Sequence, residues 1–496
     1  MMAFGVGEEK LTPDLLYALA KENRHIELRF SVRTRINENR RFLERKLEEG
    51  AFYYGVNTGF GKLCEVRIQP QELRQLQVNL IHSHSCGVGP LLPYELSRMV
   101  LALKIHSLAL GASGVREILC DYLLEMWRSG VAPAIPTRGS LGASGDLAPL
   151  AYVAAPILGL GQVMKPNGEL LESKHWLKEA GLSPLELESK EGLALLNGTQ
   201  YMAALASYVV ARFKKLWPLI GEVYGLSSWA YGALRQPLDK RLLSLRPHEG
   251  QLEAGALFNA VWDMLPPQTA FSRQVQDPYS FRCMPQVAGA SLDALRYMEK
   301  VVTTELNSVT DNPVVLHKEG QILSGGHFHG QPLALVCDFA AIALAELASI
   351  AERRIYRLLS GKNGLPPFLA DDPGLESGYM IVQYTAAALV SHNKQLCTPA
   401  SVDSIESSDG QEDHVSMGAN AALKLLEVWD NTLRVVALEW LTALRAALFR
   451  TQGDPQPFQT LPTARHLLNR LRPHRGDVWM HDRLQAAIIC MEELTL

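Results

Sequence analysis

The chain has 496 residues, of which 47% are hydrophobic and 20% charged, a composition typical of a globular protein with a large core and not of a disordered one. Its net charge is -4 and it contains no basic run, which argues against binding to nucleic acid or to an anionic membrane surface. We therefore expect a small-molecule ligand.

The cysteines and the N-terminus favour a reducing cytoplasm. Seven cysteines are scattered without a C-x-x-C pair, and an odd number argues against a disulfide framework. Met1–Lys10 lacks the apolar core of a secretory signal. The most apolar long window, Pro332–Ile350, contains Asp338 and Glu346, which indicates a buried helix and not a membrane span.

The N-terminal part of the chain alternates predicted helices with loops. Helical patterns cover Thr12–Glu49, Leu73–Ile81 and most of Tyr94–Trp127. The Gly-rich aromatic segment Tyr53–Gly61 interrupts them and, taken alone, is typical of a packed Ω-loop. A His-x-His pair in His82–His84 could bind a metal, but no third ligand stands at a suitable spacing, so we predict no metal site there.

The segment Gly139–Ala151 contains three glycines, three alanines and two serines, so its backbone can fold tightly and come close to itself. Within it, the amide nitrogen of Gly145 can attack the carbonyl carbon of Ala143 and close a five-membered ring. Loss of the Ser144 hydroxyl as water would leave an exposed methylidene, a carbon electrophile that no ordinary side chain supplies. The simpler interpretation is a small-residue loop packed on a helix.

The same four residues, Gly-Ala-Ser-Gly, also occur earlier, in Gly111–Gly114. The tetrapeptide alone is therefore a poor signal. The earlier copy lies inside an apolar pattern from Leu101 to Trp127, whereas the later one lies in a segment that contains prolines. This context favours Ser144, and not Ser113, as the reactive serine.

After residue 197 long helical patterns dominate, and helices of this length pack side by side as a bundle. They cover Tyr201–Ser227, Ala288–Ser308, Pro332–Ser360 and Ala421–Arg450. The last has an apolar stripe at three- and four-residue spacing, formed by Leu426, Trp429, Leu433, Val436, Trp440 and Leu444. Turn signals at Lys165–Gly168 and within Val314–Leu323 predict two small hairpins.

We predict a mainly α-helical fold, a long helical bundle with a smaller loop-rich N-terminal region that carries Ala143-Ser144-Gly145. The N-terminal region is placed at residues 1–200 and the bundle at residues 201–496. No repeat or flexible linker separates them, so we expect one interdependent folding unit. The Pro-rich segment Asp454–Pro462 precedes a short C-terminal extension.

Five further segments contain clusters of polar residues, which packing in a helical core does not explain. They are Tyr54–Gly61, His82–Gly89, Lys190–Gln200, Gln276–Val287 and Pro399–Gly418. With residues 139–151, they resemble the aromatic amino acid ammonia-lyases and aminomutases, most closely the members that act on histidine. The resemblance implies a carbon–nitrogen lyase that deaminates L-histidine to trans-urocanate and ammonia without oxidation. It also implies that Ala143, Ser144 and Gly145 form 4-methylidene-imidazol-5-one autocatalytically, with no external cofactor.

The resemblance assigns roles to other residues of these segments. It implies that Gln276 and Arg282 bind substrate, Arg282 as the partner of the carboxylate, since a planar guanidinium can hold both oxygens. Tyr54 and Tyr279 are implied in proton transfer, although a phenol is a poor base at neutral pH unless its site lowers the pKa or relays protons. Asn197 matches a residue that touches the carboxylate and the methylidene ring; without the resemblance it is equally a turn residue.

Substrate choice depends on two positions. Ser83-His84 stands where relatives acting on phenylalanine or tyrosine usually have Phe-Leu or His-Leu, and Glu412 stands where they usually have Gln. The Glu412 carboxylate can accept from an imidazole N–H, pair with imidazolium or serve as the base. The simpler interpretation of Glu412 is an acidic residue at a helix N-terminus, where the helix dipole favours negative charge, and Asp413 could fill that role equally well. Phe328 matches a ring that packs on the substrate.

Two departures from the family pattern lie beside matched positions. His327 stands where the family more often has Asn, and Ser408-Asp409-Gly410 replaces Ala-Asn-like residues. Neither removes a residue with an implied catalytic role, and we expect them to affect kinetics or the pH optimum.

The resemblance further implies a homotetramer whose active sites combine residues of several subunits. One alternative is a tyrosine or phenylalanine ammonia-lyase or 2,3-aminomutase of the same family. Another is a non-catalytic helical scaffold, against which the joint presence of the polar residues above argues.

Overall fold

A computed structural model describes residues 3–59, 61, 65–268 and 275–496. Phe60, in the predicted loop Tyr53–Gly61, and Cys64 lie outside these residues. Helices dominate the described chain, and the prediction of a mainly α-helical fold is confirmed.

The helices and strands have the following bounds. The helices are α1 (Pro13–Lys21), α2 (Phe30–Glu48), α3 (Leu73–His84), α4 (Tyr94–Ala109), α5 (Glu117–Arg128), α6 (Leu147–Ala154), α7 (Ser173–Glu179), α8 (Glu191–Leu196), α9 (Gln200–Tyr231), α10 (Lys240–Leu243), α11 (Glu249–Met264), α12 (Tyr279–Arg282), α13 (Met284–Leu306), α14 (Gln331–Leu359), α15 (Met380–Leu396), α16 (Gly418–Arg450), α17 (Pro462–Arg470) and α18 (Met480–Thr495). The strands are β1 (Phe4–Gly5), β2 (Ile26–Glu27), β3 (Val88–Leu91), β4 (Ala132–Pro133), β5 (Pro136–Arg138), β6 (Gln162–Met164), β7 (Leu170–Glu172), β8 (Val314–Leu316) and β9 (Gln321–Leu323).

The four long helices predicted after residue 197 are present as α9, α13, α14 and α16. The two hairpins are confirmed as the antiparallel pairs β6–β7 and β8–β9. The pattern Tyr94–Trp127 divides into α4 and α5, because Gly111 and Gly114 between them have φ of +72° and +68°. A helix cannot continue through that left-handed backbone.

The chain divides into two compact units. Unit 1 comprises Met1–Tyr208, Glu299–Asp338 and Pro399–Leu423, and unit 2 comprises Val209–Met298, Phe339–Thr398 and Lys424–Leu496.

Within unit 1, the helices α3, α6 and α8 pack against one another. Each contributes an end to the same region: His84 is the last residue of α3, Asp146 precedes α6, and Asn197 follows α8. Strand β5 pairs antiparallel with β3 and ends at Arg138, directly before the small-residue segment. Residues distant in sequence are thereby brought to the ends of three packed helices.

Within unit 2, the residues of α16 form much of the core. Of its predicted apolar stripe, five residues are buried and Leu426 is half-buried. A buried ion pair joins Arg354 Nη2 to Glu439 Oε2 at 2.7 Å, and the Ser227 hydroxyl donates to Glu439 at 2.7 Å. Such a pair keeps its charges in the interior only because both partners are hydrogen-bonded.

Helix α14 is long and apolar enough to cross a membrane, by length and composition alone. However, 67% of its most apolar window is buried inside the protein. This burial is typical of a core helix, in accord with the interpretation of Pro332–Ile350 from the sequence.

Candidate active site

A cavity of about 420 Å³ lies in unit 1, within the size range of small-molecule sites. Its lining combines leucines with polar side chains from segments that are far apart in the sequence. Six residues to which the resemblance assigns roles line it: Tyr54, His84, Ser144, Asn197, Phe328 and Glu412. Ser408 and Asp409, in the segment that departs from the family pattern, line it as well. The apolar part of the wall is formed by Leu80, Leu147, Leu193 and Leu196.

The backbone around Ser144 requires glycine on both sides. Gly145 has a φ of +76°, and a Cβ there would lie 2.2 Å from the carbonyl oxygen of Gly198. Gly142 has a φ of +73°, and a Cβ there would lie 2.3 Å from Ser416 Oγ. A side chain at position 145 would collide with backbone, and one at position 142 would displace the Ser416 hydroxyl; both positions also have a positive φ that only glycine adopts without strain. The segment is thus a tightly folded loop with Ser144 on the cavity, as an Ala-Ser-Gly cyclisation site requires.

The second Ala-Ser-Gly copy has a different environment. Ser113 is buried, with 1% of its surface exposed, and its hydroxyl finds no hydrogen-bond partner among the described residues. A Cβ at Gly114 would lie 2.7 Å from Leu43 Cδ2. This copy is packed into the core, as the apolar sequence around it indicates.

Glu412 reaches Ser144 directly. The Ser144 hydroxyl donates to Glu412 Oε1 at 2.9 Å. The other carboxylate oxygen accepts hydrogen bonds from Ser407 Oγ at 2.7 Å and Ser408 Oγ at 2.9 Å. An antiparallel bridge between the backbones of Ser407 and Glu412 holds the segment together. The carboxylate is therefore fixed by three hydroxyl groups and can accept protons at the cavity wall.

Asn197 contacts the other side of the same residue. Its side-chain amide donates from Nδ2 to the Ser144 carbonyl at 2.9 Å. Its Oδ1 atom is buried without a hydrogen-bond partner among the described residues. Because an unpaired buried acceptor is costly, this oxygen is suited to a donor on a bound ligand.

His84 presents one ring nitrogen to the protein. Its Nδ1 lies 2.9 Å from the Leu80 carbonyl, to which it donates, one turn earlier in α3. Because a carbonyl only accepts, Nδ1 carries a proton, and in the neutral ring Nε2 is then an acceptor. Burial lowers the pKa of His84, opposed by the Leu80 carbonyl and the charge of Glu412. The lowered pKa favours the uncharged ring, in which Nε2 is an acceptor.

The remaining predicted residues divide between the units. In unit 1, the phenol oxygen of Tyr54 accepts from the Gly61 amide at 3.2 Å. In unit 2, Tyr279 is 69% exposed, and the Arg282 guanidinium lies over its ring at 4.3 Å. Gln276 is also exposed. Among the described residues that line the cavity there is neither an arginine nor a lysine.

Some contacts of the site were not predicted from the sequence. Ser407 was not singled out, although its hydroxyl group donates a hydrogen bond to Glu412. His329 and His414 stack, with 3.2 Å between Nε2 and Nδ1, and so join the segments that carry Phe328 and Glu412. Adjacency in the sequence to matched positions was the one available signal for these residues.

Comparison with known proteins assigns the family. Residues 11–486 match the family model described as "Aromatic amino acid lyase". The histidine ammonia-lyase of Caldanaerobacter subterraneus subsp. tengcongensis is 45% identical over 445 residues, 89% of this chain and 87% of that relative. The crystal structure of histidine ammonia-lyase from Trypanosoma cruzi is 36% identical with a TM-score of 0.90, covering 99% of this chain and 94% of that one. Tyrosine aminomutase from Streptomyces globisporus is 33% identical with a TM-score of 0.93, covering 99% and 97%. The chain is a carbon–nitrogen lyase and belongs to the aromatic amino acid lyase family.

Proposed function

We propose that this protein deaminates L-histidine to trans-urocanate and ammonia, the first step of histidine degradation. The observation that carries the proposal is the cavity itself, where Glu412 and His84, the two residues suited to an imidazole ring, stand with Ser144. Relatives named histidine ammonia-lyase support it. The substrate is a small molecule, an amino acid, and we place the protein in the cytoplasm.

We assign the cofactor to Ala143, Ser144 and Gly145. The Gly145 nitrogen bonds to the Ala143 carbonyl carbon, that carbonyl oxygen leaves as water, and the Ser144 hydroxyl leaves as a second water. The tight loop and the small residues around it fit this cyclisation. When formed, 4-methylidene-imidazol-5-one supplies an electrophilic carbon at the cavity wall. Asn197, which donates to the Ser144 carbonyl, would hold it.

The deamination breaks a Cα–N bond and a Cβ–H bond, and the β-proton is scarcely acidic. A positioned base must take this proton. We assign proton transfer to Tyr54, Tyr279 and Glu412. Glu412 can also accept a hydrogen bond from the imidazole N–H of the substrate, since Glu412 lines the cavity. Phe328 packs on the substrate ring.

His84 is assigned to substrate recognition. Because the Nδ1–H group of His84 donates to the Leu80 carbonyl, Nε2 can accept a hydrogen bond from an imidazole N–H of the substrate. A phenyl ring provides no such donor. Replacement by Leu should raise the KM for histidine about 10- to 100-fold, because a polar group of the substrate loses its partner. Steady-state kinetics measures this, with His82→Leu as the control, since His82 is exposed on the same helix and should leave KM unchanged. Equal effects of both variants would contradict the assignment.

We propose a homotetramer in which Gln276, Tyr279 and Arg282 complete the cavity of another subunit. The cavity lining described here has no cation for the substrate carboxylate, whereas Tyr279 and Gln276 are exposed in unit 2. Arg282 is held by the Asp277 carbonyl, to which Nε donates at 2.9 Å.

Subunit complementation tests the shared site. Ser144→Ala and Arg282→Met should each be inactive alone. Co-expressed at equal levels, they should recover about a quarter of wild-type activity, since random assembly pairs an intact Ser144 with an intact Arg282 from different subunits. Activity is measured on purified mixed tetramers that carry two different tags. No recovery in confirmed mixed tetramers would show that each site belongs to one subunit.

The substrate assignment is tested by supplying the purified protein with histidine, tyrosine or phenylalanine. Urocanate from histidine is the expected product. The similarity to tyrosine aminomutase makes a lyase or 2,3-aminomutase for tyrosine or phenylalanine the second candidate, which coumarate, cinnamate or a β-amino acid would reveal. Absence of any turnover, in protein whose mass shows no loss of two waters, would favour a non-catalytic scaffold.

A further inference from the structure

Lys104 is a buried lysine, close to the active-site residue Asn197, that none of the roles above uses. It lies in α4 with 1% of its surface exposed. Its Nζ donates to the carbonyl of Asn197 at 2.8 Å and to the carbonyl of Ala194 at 3.1 Å. Among the described residues it forms no ion pair with a carboxylate. Its two partners are both carbonyls at the C-terminal end of α8.

These carbonyls need a donor from outside the helix. The last carbonyls of any α-helix have no intrahelical N–H partner, and a cation at that end also interacts favourably with the helix dipole. Lys104 fills this role at α8, a helix of six residues. So short a helix has little stability of its own, and the position of its C-terminal end depends on such external contacts.

The residues that follow α8 are held in place by hydrogen bonds to their backbone. The Asp146 amide donates to the Gly198 carbonyl at 2.8 Å, and Asp146 Oδ2 accepts from the Met202 amide at 3.0 Å. The Asn197 side chain reaches the Ser144 carbonyl. Lys104 fixes the carbonyl of Asn197, the residue that makes this contact. The main-chain carbonyl of Asn197 therefore accepts a hydrogen bond from Lys104, while its side-chain amide donates one to Ser144.

The surroundings of Lys104 favour its neutral form over its charged form. Burial lowers the pKa of Lys104 to about 7; the charges of Asp311 and Asp146 oppose this shift, and the charge of Lys190 adds to it. Asp311 is itself paired with Lys190 at 2.6 Å. An amine has two N–H donors even when neutral, so both carbonyl bonds persist on either side of that pKa.

We propose that Lys104 is a positioning residue of this enzyme, which holds the main chain of Asn197 so that its side-chain amide meets Ser144. The inference rests on the proposed function, since it assumes that Asn197 acts on the reacting group. Lys104 itself does not line the cavity, and it acts only through Asn197.

The experiment compares Lys104→Met, which keeps the length of the side chain but removes the donors, with wild type. We expect kcat for histidine to fall about 10- to 100-fold with little change in KM, the scale of effect when a catalytic group is slightly misplaced. In an Asn197→Ala background the same substitution should have almost no further effect on kcat, because residues that act as a unit are not additive. A kcat within twofold of wild type, or full additivity with Asn197→Ala, would overturn the proposal.

Arg98→Met is the matched control. Arg98 lies on the same helix, is fully buried, and donates to the carbonyls of Trp127 and Val131, each at 2.9 Å. This substitution removes a buried cation of the same kind at the end of another helix, and it should reduce stability while kcat stays unchanged. An equal loss of kcat in both variants would show a general effect of destabilisation and would overturn the proposal.

Lys104→Arg retains the donors and should restore kcat to within tenfold of wild type. If Lys104→Met does not fold, this variant decides: a folded protein with kcat more than tenfold below wild type overturns the proposal, and one within tenfold supports it. Hydrogen exchange of residues 194–202 gives a readout that needs no turnover. It should accelerate in Lys104→Met and not in Arg98→Met. If wild type turns over no amino acid, the proposed function has failed, and hydrogen exchange alone then decides whether Lys104 holds this segment.

Discussion

Ser144→Ala should lower histidine turnover by at least about 1,000-fold, the scale lost when a group acting directly on the reacting bonds is removed. The Ser144 hydroxyl is the group whose loss as water would create the electrophile, and it lies on the cavity beside Glu412. The variant should fold normally, because it leaves Gly142 and Gly145, whose positive φ other residues rarely adopt, unchanged. A urocanate assay measures the loss, and intact-protein mass measures the dehydration, which the variant cannot complete.

Ser113→Ala is the internal control for this experiment. It makes the same chemical change in the other Ala-Ser-Gly copy. Because the Ser113 hydroxyl is buried without a partner among the described residues, its removal should be neutral or slightly stabilising. Both activity and the loss of two waters should persist. Full activity of Ser144→Ala, or loss of the dehydrated mass in Ser113→Ala, would contradict the assignment of the cofactor to Ala143-Ser144-Gly145.

The fold was predictable where the periodicity was long. The apolar stripe of α16 extends over several turns, so small errors at its ends do not matter, and its tryptophans are fully buried. The division of Tyr94–Trp127 was missed because its apolar spacing continues through Gly111 and Gly114, while their positive φ follows from packing. Gly114, for example, is closely covered by Leu43 of α2, a tertiary contact that local pattern does not contain.

Several residues that line the cavity could be singled out from the sequence, whereas the distances between them could not. Polar residues in a helical chain stand out against an apolar background, which is how Asn197 and Glu412 were found. Their roles stay predictions, as do those of Gln276, Tyr279 and Arg282. What escaped prediction are groups that act through another residue. Lys104 lies in a helix in which nearly every residue is buried, polar ones such as Arg98 included, and only the fold shows that its amine meets the Asn197 carbonyl.

Glu412→Gln should lower kcat/KM for histidine by about 100- to 10,000-fold, the range attributed to a positioned acid or base. Glutamine has nearly the same shape, and the hydroxyl groups of Ser407 and Ser408, which remain beside position 412 after Ser144 has lost its own, can rotate to donate or accept. The change is therefore chemical: a negative acceptor that can bind a proton becomes a neutral amide. Kinetics with histidine and phenylalanine should show that the histidine preference falls along with the rate.

Asp413→Asn separates this chemistry from local charge. Asp413 is the next residue, is exposed and does not line the cavity, so the substitution removes the same charge at almost the same place. The helix-terminus interpretation is not supported by the structure, because α16 begins at Gly418 and has no acidic residue in its first turn. If the two acidic residues contribute only their negative charge, the two variants should behave alike. If Glu412 acts on the substrate, only Glu412→Gln should lose histidine turnover. Wild-type kinetics in Glu412→Gln would remove the main reason for choosing histidine over the other aromatic amino acids, because His84 alone provides an acceptor and no carboxylate.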